Sequence, residues 1–221
     1  MPDVPRAAPS PTREVHCADA LAWLAERPAL TGCSVITSLP DVSELDLSLS
    51  DWKRWFVDAA ARVMRSVPAD GAAIFYQTDI KKAGTWVDKG QLVHRAADDA
   101  GCALLWHKIV CRKPAGTVTF GRPAYAHLCC FSRALTVDPA RASPDVIADP
   151  GVSTWTRGMG TAACALACRF VLTQTPTRTV VDPFCGQGMV LAVANAMGLH
   201  AVGVELSAKR ARKARALQIS L

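Results

Sequence analysis

The stretch that decides the fold reads Thr179-Val-Val-Asp182-Pro183-Phe184-Cys185-Gly186-Gln187-Gly188, continues through an apolar run, and ends Ala201-Val-Gly-Val-Glu205-Leu206-Ser207. A β-branched run, a glycine-containing turn, about three turns of helix and a second apolar run ending in an acid predict one βαβ unit. Gly186 and Gly188 lack the Cβ atoms that would keep a ligand away from the backbone, and they tolerate a positive φ. The turn is therefore expected to bind a nucleotide-like ligand.

An acid that precedes the glycines distinguishes this turn from a dinucleotide-binding one. In a dinucleotide-binding turn, Gly-x-Gly-x-x-Gly follows the strand directly, with an acid about 20 residues further on. Here Asp182 comes first, and a carboxylate at that place would repel a pyrophosphate but suits the ammonium group of a methionine moiety. Glu205, at the end of the second strand, could accept hydrogen bonds from both hydroxyls of a ribose.

The stretch closely resembles the S-adenosylmethionine motif of amino-methyltransferases, in the Asp-Pro-Phe-x-Gly-x-Gly form typical of DNA and RNA N-methylases. The resemblance implies S-adenosyl-L-methionine as cofactor, with Glu205 at its ribose. The other residues that it places at the cofactor are Asp182, Pro183, Phe184, Cys185, Gly186, Gly188, Leu206 and Gly158, the last in a segment that packs on the methionine end. The alternative is a structural βαβ turn without a ligand.

Two features near the start of the chain resemble the permuted β class of these enzymes. Residues 13–24 predict a strand, a turn at Asp19 and a helix, and a second strand from Cys33 runs into Ser38-Leu39-Pro40-Asp41. In the β class the first turn is Gly-Asp-x-Leu, and the second strand ends in Asp/Asn/Ser-Pro-Pro-aromatic. The resemblance implies that Asp19 contacts the adenine amine and that residues 38–41 form the catalytic loop.

This order of motifs, catalytic loop first and cofactor loop last, predicts a circularly permuted α/β fold. The sheet is expected to be Rossmann-like and seven-stranded, mostly parallel with one antiparallel strand. We expect a disordered leader over 1–12 and one methyltransferase domain over 13–221. Within that domain the catalytic half spans 13–135, a linker 136–153 and the cofactor half 154–221.

The predicted catalytic loop has a chemical rationale and one departure from the family. An exocyclic amine is a poor nucleophile until acceptors hold its hydrogens, and the Ser38 hydroxyl and the Leu39 carbonyl, beside the rigid Pro40, could do so. Asp41 stands where the family has an aromatic residue, so base stacking worth about 1–3 kcal/mol is missing there. Either another aromatic residue replaces it or the acceptor is not a flipped base; the candidates are Tyr76, Trp86, Phe120 and Trp155.

Four residues are candidates for substrate contacts. Tyr76 and Gln77 end a buried strand, at the edge of an α/β sheet that faces the ligand. Trp86 lies in a basic, exposed loop predicted over 80–91. Arg157 could meet the methionine carboxylate or a substrate phosphate.

Composition excludes several classes of protein. The formal net charge of +6 suits a polyanionic substrate, although solvated surface charge explains it equally well. Nine cysteines without a Cys-x-x-Cys pair predict reduced thiols and no metal site. No apolar run reaches the roughly 18 residues that cross a bilayer, and a secretory signal is missing. A cytoplasmic location is expected, with import into an organelle left open.

These patterns predict an N-methyltransferase acting on an exocyclic amine of a nucleobase in RNA, such as tRNA or rRNA. RNA is preferred over DNA because the 136–153 segment is too short for a target-recognition domain and because the chain is basic. The alternatives are a DNA amino-methyltransferase without its own recognition domain, a small-molecule or protein N-methyltransferase, and a partner-dependent cofactor-binding subunit. A protein partner could supply substrate recognition, and the oligomeric state is not predicted.

Overall fold

The computed structural model describes residues 10–82, 84–155 and 158–220. The strands are β1 (Arg13–His16), β2 (Cys33–Thr37), β3 (Ala73–Gln77), β4 (Ile80–Lys82), β5 (Thr85–Val87), β6 (Ala103–Cys111), β7 (Tyr125–Ser132), β8 (Val146–Ile147), β9 (Thr179–Asp182) and β10 (His200–Val204). The α-helices are α1 (Ala20–Ala25), α2 (Leu49–Ser66), α3 (Lys89–Ala100), α4 (Thr161–Gln174), α5 (Met189–Ala196) and α6 (Ala208–Ala216).

Eight strands form one sheet in the order β1-β10-β9-β2-β3-β7-β6-β8. All neighbours pair in parallel except at β7, which runs antiparallel to both β3 and β6. The predicted α/β fold with one antiparallel strand is confirmed. The chain order reverses between β9 and β2, and this reversal makes a crevice at the carboxyl ends of those strands.

Helices cover both faces of the sheet because the buried strands are apolar on both sides. On one face α4, α5 and α6 pack through residues such as Ala167, Leu191 and Ala211. On the other face α1, α2 and α3 pack through residues such as Trp52 and Phe56. This sandwich fixes the strand ends that carry the predicted site residues.

The structure differs from the sequence prediction in local details. The 80–91 segment, predicted as an exposed loop, forms the β4–β5 hairpin and the start of α3. The expected 136–153 linker contains β8, an eighth strand of the main sheet that the sequence does not predict. A two-residue strand is too short to show a period in the sequence, and it forms here because it pairs with β6. Most of the expected leader, residues 1–9, lies outside the described residues.

Among the described residues, the model has no helix with the length and apolarity that a bilayer crossing requires.

Candidate active site

One cavity of about 220 Å³ opens at the carboxyl ends of β1, β2, β9 and β10. Residues from the predicted cofactor motif and from the predicted catalytic loop line it together. The predicted residues in its wall are Asp19, Ser38, Leu39, Pro40, Gly158, Asp182, Pro183, Phe184, Cys185, Gly186, Glu205 and Leu206. The chain reversal between β9 and β2 therefore joins two motifs that are about 140 residues apart in sequence.

Asp182 ends β9 and is only 4% exposed. Its Oδ1 accepts hydrogen bonds from Thr37 Oγ1 at 2.7 Å and from Phe184 N at 3.1 Å. Burial raises the pKa of this carboxyl to about 7, against the opposing effect of these two hydrogen bonds. A cation that enters the cavity would stabilise the ionised form of Asp182. That form is the one that could bind the ammonium group expected from the sequence.

The two glycines of the turn have different surroundings. Gly186 lines the cavity with φ +54°, and an added Cβ would meet no atom within 4 Å. Gly188, with φ +85°, does not line the cavity: an added Cβ would lie 2.7 Å from Ala214 Cα. The sequence assigns both glycines to the cofactor, whereas the structure places Gly188 against helix α6.

Glu205, directly after β10, lines the cavity and is 7% exposed. Its Oε1 accepts hydrogen bonds from Ser207 N at 2.7 Å and from Arg210 Nε at 2.9 Å. Arg210 also lines the cavity, a position that the sequence pattern does not predict. The hydrogen bond from Arg210 fixes the orientation of the Glu205 carboxylate, and the charge pattern of the sequence does not predict this bond.

Apolar and aromatic side chains close the cavity around these carboxylates. Phe184 meets Trp55 edge to face, with ring centroids 6.2 Å apart. Trp55 lines the cavity from α2. Leu206 remains 71% exposed at the rim, and Trp155 lies beside Gly158. Arg157 lies outside the described residues.

Asp19 begins α1, where its Oδ1 accepts a hydrogen bond from Ala22 N at 2.8 Å. The residue is exposed and lies in the cavity wall. Helix capping accounts for one carboxylate oxygen, so Asp19 can combine this structural role with contact to an adenine amine.

The catalytic-loop residues extend from β2 into the cavity. Ser38 is half-buried, and Leu39 is 3% exposed. Pro40 O accepts a hydrogen bond from Trp52 Nε1 at 3.3 Å, which fastens the loop to α2. Ser38, Leu39 and Pro40 therefore line the cavity on a segment that a hydrogen bond attaches to α2.

Asp41 does not line the cavity. Its Oδ1 lies 3.3 Å from Lys89 Nζ, and its Oδ2 accepts a hydrogen bond from Arg122. Although burial acts in the other direction, these two cations hold the pKa of Asp41 below its usual value. The side chain that occupies the place of the family's aromatic residue is therefore held by two cations and offers no ring.

The other substrate candidates lie away from the cavity. Tyr76 and Gln77 are 2% and 1% exposed. Both polar side-chain atoms of Gln77 are buried without a hydrogen-bond partner. Trp86 is 48% exposed, and its Nε1 donates to Asp79 Oδ2 at 3.0 Å. Among these three, only Trp86 presents a ring to solvent.

A chain of hydrogen bonds links two histidines to Asp79. His107 Nε2 lies 2.9 Å from His127 Nδ1, and His127 Nε2 lies 3.1 Å from Asp79 Oδ2. Asp79 also accepts a bond from Lys89 N at 2.8 Å. Separately, His94, His107 and Cys129 have potential metal-ligand atoms within 4.8 Å of one another, a convergence that the sequence does not predict. Burial raises the pKa of the Cys129 thiol to about 12.

Comparisons with known proteins give structural likeness alone. No family model matches the sequence, and a search of curated proteins gives no match. A protein from Thermus thermophilus described as a putative DNA modification methylase, solved with S-adenosyl-L-methionine, has a TM-score of 0.70 at 17% identity, covering 92% of each chain.

Two further solved structures have the same fold. The PvuII cytosine-N4-specific DNA methyltransferase gives a TM-score of 0.70 at 15% identity, covering 96% of this chain and 89% of that one. The M1.HpyAVI complex with SAM gives 0.60 at 12% identity, covering 93% and 98%. At these identities the comparisons establish a shared fold over nearly the whole of each chain.

Proposed function

We propose that this protein is an S-adenosylmethionine-dependent N-methyltransferase that modifies an exocyclic amine of a nucleobase in a polynucleotide. The observation that carries the proposal is the cavity that Asp182 and Glu205 share with Ser38 and Leu39. Methyl transfer requires a cofactor site and an amine-activating loop that open into each other, and the residues proposed for both roles line this one cavity.

The cavity fits S-adenosylmethionine by the chemistry of its walls. Asp182 would hold the ammonium group, and Glu205, oriented by Arg210, would accept the ribose hydroxyls. Phe184 and Leu206 supply apolar surface, while Gly186 leaves the backbone open to the ligand. When bound, the cofactor supplies an electrophilic methyl group attached to a sulfonium.

The protein's part in the transfer is to make the amine nucleophilic and to keep it in line. The Ser38 hydroxyl and the Leu39 carbonyl would accept the two amine hydrogens, which frees the nitrogen lone pair from the ring. Trp52 Nε1 donates a hydrogen bond to Pro40 O, which restrains the main chain next to these two acceptors. The proton that the amine releases after transfer would leave through the Ser38 side of the cavity to solvent.

The fold comparisons change the preferred substrate from RNA to DNA. The sequence argument for RNA is the short 136–153 segment, yet the chain covers 89% of a cytosine-N4-specific DNA methyltransferase and 98% of M1.HpyAVI. The short segment therefore does not separate this chain from DNA methylases. DNA is the first substrate to test, and RNA, which the basic composition also suits, is the second.

Transfer of label from radiolabelled S-adenosylmethionine to DNA, RNA, protein and a small-metabolite fraction tests this proposal. We expect nuclease-sensitive label, and a loss of about 100-fold in Ser38→Ala with cofactor affinity unchanged. Label confined to protein or small molecules would overturn the polynucleotide substrate. Cofactor binding without transfer to any fraction would favour a partner-dependent subunit.

A further inference from the structure

Three exposed apolar side chains lie on two neighbouring segments at the carboxyl edge of the sheet. Phe120 is 87% exposed, Val118 is 78% exposed and Trp86 is 48% exposed. Trp86 belongs to the β4–β5 hairpin (80–87), and the other two belong to the β6–β7 loop (112–124). We call the described residues of these two segments the basic rim.

Polar contacts hold the two segments of the basic rim together. Lys81 Nζ donates to Thr119 O at 3.0 Å, and Lys81 N donates to Gly121 O at 3.4 Å. The same Lys81 Nζ lies 4.8 Å from the Trp86 ring centroid. Main-chain and ammonium groups fasten the loop on both sides of Phe120, so its ring projects into solvent from a fixed backbone.

The basic rim is also joined to the catalytic loop. Arg122, two residues beyond Phe120, donates a hydrogen bond to Asp41 Oδ2. Asp41 occupies the place where the family resemblance expects an aromatic residue. The Ser38–Asp41 loop thus has no aromatic ring of its own. Through Asp41 it contacts the β6–β7 loop, which carries Phe120.

The charge of the rim indicates what it binds. Its two segments contain five basic residues and no acid, namely Lys81, Lys82, Arg112, Lys113 and Arg122. An exposed apolar ring on a basic segment complements an unstacked base on a phosphate backbone, because the base can stack on the ring while the phosphates are attracted to the positive charge of the segment. An acidic protein partner would meet the cations but would leave an isolated Phe ring without a flat apolar surface to stack on.

We propose that the basic rim binds an unstacked nucleotide of the substrate strand, with Phe120 as the stacking ring that the Ser38–Asp41 loop lacks. This inference rests on the proposed polynucleotide substrate. Trp86, with one face against Lys81, supports the neighbouring base or backbone. Asp41 is a positioning residue that acts through Arg122.

Fluorescence anisotropy with labelled single-stranded DNA and RNA oligonucleotides of mixed sequence tests the inference, in the presence of S-adenosylhomocysteine. Phe120→Ala is expected to weaken binding about 5- to 150-fold, with unchanged cofactor affinity. Phe120→Tyr should bind like the wild type, whereas Phe120→Leu should behave like the alanine variant. Leu104→Ala is the matched control, since Leu104 is a 43% exposed apolar residue at the opposite end of β6.

The outcomes separate this inference from the proposed function. Wild-type binding that Phe120→Ala and Phe120→Leu leave unchanged would overturn the stacking role, while methyl transfer could still proceed. Loss in Phe120→Ala and retention in Phe120→Tyr would support the stacking role even if no transfer were detected. Failure of the wild type to bind either oligonucleotide, with intact cofactor binding, would overturn this inference, while nuclease-sensitive label in the transfer experiment would still support the proposed function.

Discussion

Asp41 and Lys89 form an ion pair inside the protein: Lys89 Nζ lies 3.3 Å from Asp41 Oδ1, and each side chain is 4% exposed. Removing one partner of a buried pair leaves an uncompensated group, which costs more than the pair contributes. We expect Asp41→Ala to lower the free energy of unfolding by about 3 kcal/mol in urea denaturation.

The double variant Asp41→Ala, Lys89→Met is the control for that effect. It removes both charges and keeps an apolar chain of similar length, so it should recover much of the lost stability. A double variant as unstable as Asp41→Ala alone would contradict the role of the buried charge and point to Arg122 instead.

Cofactor affinity should depend on pH through Asp182, whose pKa burial raises to about 7. The ammonium group binds the ionised carboxylate, so affinity falls as pH drops through that value. Between pH 7 and pH 5.5 we expect S-adenosylhomocysteine to bind roughly an order of magnitude more weakly in calorimetry.

Two variants test whether Asp182 causes the pH dependence of cofactor affinity. Thr37→Val removes a hydrogen bond donated to Asp182 and should move the midpoint to higher pH. Asp182→Asn should bind weakly at every pH without a midpoint near 7. A wild-type profile that stays flat from pH 7 to pH 5.5 would rule out Asp182 as the ammonium partner.

The ribose site should depend more on Glu205 than on the arginine that orients it. Glu205→Gln removes the charged acceptor and should weaken cofactor binding about 10- to 150-fold, the range for a hydrogen bond to a charged group. Arg210→Ala should cost less, because Ser207 N still holds Glu205 Oε1 at 2.7 Å. Calorimetry measures both, and equal losses would show that the arginine itself meets the ligand.

Alanine substitutions at the two glycines of the turn should lower the unfolding free energy to different extents. Gly188→Ala combines a positive φ with a 2.7 Å approach to Ala214 Cα, so it should lower the unfolding free energy by more than about 2 kcal/mol. Gly186→Ala has open space and should cost about 1–2 kcal/mol through its φ alone, with weaker cofactor binding. A Gly188 variant as stable as the Gly186 variant in urea would contradict the packing role.

The sequence predicts the fold and the cofactor end of the cavity well, because both depend on local signals. The βαβ turn and the strand ends at Asp182 and Glu205 are readable within about 30 residues, and the order of motifs follows from their positions along the chain. Ser38, Leu39 and Pro40 of the predicted catalytic loop line the same cavity as the predicted cofactor motif, and their catalytic role stays a prediction.

The rest depends on contacts between distant segments. The sequence places Asp41 in the predicted catalytic loop but does not show that Lys89 and Arg122, 48 and 81 residues away, hold its side chain. The sequence motif places Gly188 at the ligand. Only the packing of α6 on the turn shows that Gly188 lies against this helix. Trp55 has the spacing of a core residue, because a helical pattern shows which residues share a face but not that this face reaches a cavity.

The pairing of β1 with β10 has a consequence for how the protein is made. Arg13 pairs with Ala201 in parallel, and Thr12 O accepts a hydrogen bond from Ala201 N at 2.9 Å. On the ribosome β1 must therefore wait, unpaired, for a strand synthesised nearly 190 residues later. The cavity, which residues from both ends of the chain line, can therefore form only after synthesis has passed β10, later than the contacts within the first half of the chain.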